Sequence, residues 1–97
     1  EKQAGEGVKK IDHRPHLLLP GFIDTHVHFP QMQVIASYGA ELLDWLNTYT
    51  FPEETKFANA QHGRRIARLF LDETVRHGTT TVAAYCSVHK ASAEAFF

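Results

Sequence analysis

The chain has 97 residues, 43% of them hydrophobic, with a formal net charge of −1 at pH 7. That hydrophobic share supports a packed core and argues against disorder, and the near-neutral charge gives no pull toward nucleic acid or a membrane surface. Cys86 stands alone and cannot form an internal disulfide, no apolar run approaches the ~20 residues of a membrane span, and no signal-peptide pattern opens the chain, so the cytoplasm is the default compartment.

Glu1 to Arg14 is polar, with Gly5, Gly7 and the Lys9-Lys10 pair; it begins without an initiator Met and reads as part of something longer. Val8, Ile11 and Leu17-Leu18-Leu19 are its apolar anchors, and His13 and His16, flanking Pro15, read as loop histidines in solvent. Pro20-Gly21 then punctuates the entry to Phe22-Ile23-Asp24-Thr25-His26-Val27-His28, whose apolar and β-branched content predicts a short buried strand. Strand side chains alternate faces, so Phe22, Asp24, His26 and His28 share one face, with Ile23, Thr25 and Val27 on the other. Two imidazoles at the end of one strand admit two readings: a pair of hydrogen-bonded core histidines, or two ligands of one divalent ion. Asp24 shares their face but lies deeper, as an interior acid that supports the ligands rather than joining them.

Phe29 to Gly39 has no clean period and contains Pro30, so it predicts a loop over the strand end. Glu41 to Tyr49 places Leu42, Leu43, Leu46 and Tyr49 at helical spacing, with Trp45 beside them. Pro52 followed by Glu53 and Glu54 looks like a helix first turn, where proline is tolerated and acids complement the dipole. The clearest helix runs from about Ala60 to His77, capped by Asn59 and stopped by Gly78. Gly63, Ile66, Ala67, Phe70, Leu71 and Thr74 line one side of it, while Arg64, Arg68, Asp72 and Arg76 line the solvated side. His62 and His77 belong to this supporting helix. Thr80 to Cys86 predicts the second strand. Strand, long crossover, helix, strand is a βαβ pattern and implies a parallel pair in an α/β fold.

Pro20 to His28, then His28-Phe29-Pro30-Gln31, Leu42 to Pro52, and His77-Gly78-Thr79-Thr80-Thr81 resemble the guanine deaminases of the amidohydrolase superfamily. The resemblance runs from about Leu17 to the end of the chain. It implies the N-terminal part of a (β/α)8 TIM-like barrel, since a closed barrel needs about 250 residues. Residues 1–19 would belong to a small β-sandwich domain, as a hairpin under the barrel, and residues 20–97 would hold the first two strand/helix units.

The resemblance further implies hydrolytic deamination of guanine to xanthine and ammonia by a zinc-activated water. It makes His26 and His28 metal ligands, with further histidines, an aspartate and the proton-shuttling carboxylate beyond Phe97. No catalytic residue is therefore expected within the chain. Gln31 and His28 would contact the base, with Trp45 and Leu42 as pocket wall; the rival for Trp45 is a simple core position. Cys86 and His89 follow the second strand and could reach no more than the polar rim. The partner implied is guanine as a small molecule, with no nucleic acid or membrane and a homodimer as an open option. Two rivals stand beside this: another deaminase of the superfamily acting on an adenosine derivative, cytosine or a pterin, and a non-catalytic homologue that keeps the barrel for interaction.

Overall fold

A computed structural model describes residues 7–96. Residues 7–21 form no strand and are exposed, with a turn at His13 to His16 and the Asp12 carboxylate ion-paired to Arg14. The hairpin expected within residues 1–19 is therefore not formed by the described part, and Glu1 to Glu6 lie outside the described residues. A strand needs a partner to satisfy its N–H and C=O groups, and none approaches this segment among the described residues.

Strand β1 (Phe22–His28) pairs in parallel with β2 (Thr79–Tyr85), and these two make the sheet of the described residues. Phe22 N–H donates to Gly78 O at 2.8 Å, which starts the ladder. Gly78 sits at φ +86°, where a Cβ would be strained, and so turns the chain from helix into strand. Gly21 is needed for a different reason: a Cβ there would lie 2.0 Å from Thr80 Oγ1, so the entry to β1 depends on this close backbone approach. The register is irregular between Phe22 and Ile23 and again between Asp24 and Val27. At the second irregularity Asp24 Oδ1 accepts from His26 N–H at 3.1 Å, a local bond that competes with the ladder.

Between the strands the chain is more helical than its sequence pattern predicts. Phe29–Val34 is a 3-10 turn, not an open loop, and it buries Phe29, Pro30 and Val34. Helix α1 (Leu42–Trp45) runs through a π turn (Leu46–Thr50) into α2 (Phe51–Thr55) without a break. Phe51 N–H reaches back to Leu46 O across the π turn. Pro52 has no N–H, and its ring crowds the preceding turn, so a locally widened helix lets the chain pass it.

Helix α3 (Ala60–Arg76) matches its expected bounds, and Asn59 Oδ1 caps it by accepting from Gln61 N–H at 2.9 Å and His62 N–H at 3.3 Å. Its buried positions are Gly63, Ile66, Ala67 and Phe70. These meet Phe29 and Phe57 to form the core, with Val27, Met32, Val82, Ala95 and Phe96 packed around it. Phe29 and Phe57 meet edge to face at 5.4 Å, an arrangement favoured by their ring quadrupoles. On the solvated side Arg76 pairs with Glu73 at 3.0 Å, one turn back. Short helix α4 (Lys90–Glu94) closes the far end, pinned by buried Ser92, whose Oγ donates to His89 O at 2.7 Å. No helix among the described residues is long and apolar enough to cross a membrane.

Candidate metal and base-binding site

His26 and His28 end β1 on the same side despite the strand's irregularity, and their Nε2 atoms face each other at 3.1 Å. Tyr85, opposite His28 in the register, packs on both rings: its centroid is 4.7 Å from His28, nearly parallel, and 4.6 Å from His26. The stack restricts the tilt of both imidazole planes. Tyr85 went unnoticed in the sequence because only the strand register brings it to the histidines.

The donor set fits a divalent ion. Two nitrogens held at about 2.0–2.1 Å from one tetrahedral ion stand about 3.3–3.4 Å apart, close to the separation these rings already have. No group of three or more His, Cys, Asp or Glu is placed to hold an ion among the described residues, so the pair by itself does not complete a coordination shell. The Asp24 carboxylate is turned onto the His26 backbone, away from the ring nitrogens.

Next to the pair, Gln31 Nε2 lies 3.4 Å from His28 Nδ1 and donates to Glu54 Oε1 at 3.0 Å. A groove of about 710 Å³ opens beside these residues, lined by His26, His28, Gln31, Met32, Trp45 and Phe70 among others. Trp45 is half-buried, and its indole Nε1 donates to Ser37 O at 3.2 Å, which fixes the ring as one wall. Leu42, one turn earlier, is 70% exposed and stands outside the groove lining, as do Cys86 and His89. Burial pushes the Cys86 thiol above its ordinary range. His77, assigned to the supporting helix, does border the groove at its other end, with Nδ1 engaged by Glu73 O at 2.8 Å.

A parallel strand pair that ends in facing imidazoles, beside a groove with an amide and an indole, places its polar groups at the carboxyl ends of the strands, where α/β folds gather their ligand-binding residues. The Amidohydrolase family model matches residues 17–96, and the chain belongs to that family. Its relatives are more particular. The chain is 38% identical over 95 residues to guanine deaminase of Escherichia coli and 46% identical over 86 residues to a probable guanine deaminase of Deinococcus radiodurans, covering 98% and 89% of this chain. It covers 22% and 20% of those proteins, so it spans about a fifth of the length of the curated relatives it matches. The solved guanine deaminase of Bradyrhizobium japonicum superposes with a TM-score of 0.77 at 41% identity, over 80% of this chain and 17% of that one. Family and structural neighbours together imply a TIM-barrel-type fold, of which the described residues contain a two-stranded part.

Proposed function

We propose that the complete protein is a zinc-dependent guanine deaminase that replaces the 2-amino group of guanine with oxygen, giving xanthine and ammonia. The observation that carries this is the 3.1 Å approach of the His26 and His28 Nε2 atoms at the end of β1, with Gln31 beside them. The similarity to guanine deaminases supports guanine over the other deaminase substrates. A zinc ion, when bound, lowers the pKa of water to about 7 and so makes hydroxide available at neutral pH.

The chain's own residues then hold and exclude. To hold the ion, His26 and His28 would turn unprotonated Nε2 atoms toward it, with the proton of each ring on Nδ1. Tyr85 would restrict the tilt of both rings. Gln31 would offer an amide to the edge of the base and Trp45 a flat wall, whereas Leu42, outside the groove lining, is left out of this assignment. The carboxylate that passes the proton to the departing amine, and the remaining metal ligands, lie beyond residue 97 in this assignment. Residues 1–19 would join a small β domain of the complete protein, and a homodimer stays open to it.

The test is His26→Ala and His28→Ala in the complete protein, followed by elemental analysis and guanine turnover. Each should remove most of the bound zinc and nearly all activity, because a catalytic zinc has few protein ligands to spare. Zinc remaining near one per chain in both variants would remove the histidines from the site.

A further inference from the structure

Glu54 lies well away from Gln31 in sequence, on α2, yet its Oε1 accepts from Gln31 Nε2 at 3.0 Å in a part-buried contact. A carboxylate has no hydrogen to give, so the amide must turn its NH2 toward Glu54. The same NH2 lies 3.4 Å from His28 Nδ1, a longer and weaker approach than the 3.0 Å contact with Glu54. Glu54 is therefore the stronger hold on the amide's orientation.

With the NH2 committed, Gln31 Oε1 is left without a hydrogen-bond partner among the described residues, on a side chain that lines the groove. We propose that Glu54 is a positioning residue for substrate recognition: it locks the Gln31 amide so that a carbonyl oxygen, a pure acceptor, meets the bound base and selects an N–H donor on its edge. The proposal rests on Gln31 facing the substrate. Glu54 is well suited to the task because it stands on α2, which packs on the 3-10 turn that carries Gln31.

The experiment uses the complete protein with Glu54→Gln, Glu54→Ala, Gln31→Ala and the double variant Gln31→Ala/Glu54→Ala. Steady-state kinetics on guanine, zinc content and melting temperature are measured for each. Glu54→Ala should lower kcat/KM by tenfold or more, chiefly through KM, with zinc retained. Glu54→Gln should fall between it and the parent, since its carbonyl still accepts from the Gln31 NH2 but its own amide also permits the flipped arrangement. The double variant should be no worse than Gln31→Ala alone. If Gln31→Ala is damaging while both Glu54 variants match the parent, or if the two losses simply multiply, Glu54 does not act through Gln31 and the proposal fails. If Gln31→Ala itself leaves kcat/KM unchanged, the assignment of Gln31 to the substrate fails instead, and the two failures are told apart. A loss in Glu54→Ala that follows a fall in melting temperature and is fully restored in Glu54→Gln marks a packing role and also overturns the proposal.

Discussion

Around α3, Phe29, Phe57, Ile66, Ala67 and Phe70 close on one another with almost no exposed surface, whereas Leu17, Leu18, Leu19, Phe22 and Ile23 stand in solvent. Both groups are apolar. The first finds its partners within the crossover and its helix. The second lies on and before a sheet that has two strands and open edges among the described residues, and parallel sheets are normally covered on both faces. The radius of gyration, 19.2 Å against about 13 Å for a compact chain of 100 residues, expresses the same contrast. One part of the molecule completes itself, and the other is shaped for neighbours. The site sits on the boundary, with Gln31 on the self-completing side and the histidines on the open one.

The strongest way to break this comparison is to express residues 1–97 alone. Open edges and exposed leucines predict self-association, no single sharp thermal transition, weak zinc retention and no guanine turnover. A soluble monomer that melts cooperatively would mean the exposed surface needs no cover. A finer version substitutes one residue from each group in the complete protein. Phe29→Ala should cost about 3–5 kcal/mol by denaturant titration, because it empties a fully buried site. Leu18→Ala should cost about 2–5 kcal/mol if neighbouring elements cover it and close to nothing if they do not, so this variant reports directly on the open side. The smallest effect belongs to Asn59→Ala. Losing the cap of α3 should lower stability by about 0.5–2 kcal/mol with kinetics on guanine unchanged, since the helix supports the core and not the reacting groups.

What could be read from the sequence divides along similar lines. Helix α3 was legible because period, N-cap and C-terminal glycine are all local and agree. The histidine pair was legible because alternate strand residues share a side, even though the irregular register could have broken that rule. The 3-10 turn was not, because Phe29, Pro30 and Val34 are buried by distant helix positions that no short window contains. Pro52 announced a helix start but not the π turn that joins it to the preceding helix. Glu54 and Tyr85 escaped for one reason: each acts on a residue far away in sequence, through a contact that only tertiary structure creates. As a first-turn acid, Glu54 had a sufficient local explanation, which concealed the longer-range one.

The 3-10 turn faces two ways at once. Phe29, Pro30 and Val34 plug the core, while Gln31 looks into the groove from the same few residues of backbone. Its inward members tie it to folding, so the turn keeps its place as long as the domain is folded. Gln31, which takes no part in the core, is free of that duty. If Gln31 faces the base as proposed, a lineage could change what it recognises at position 31 while the buried members hold the turn in place. Such a turn works like a replaceable tool head, with the shank fixed and the tip open to selection.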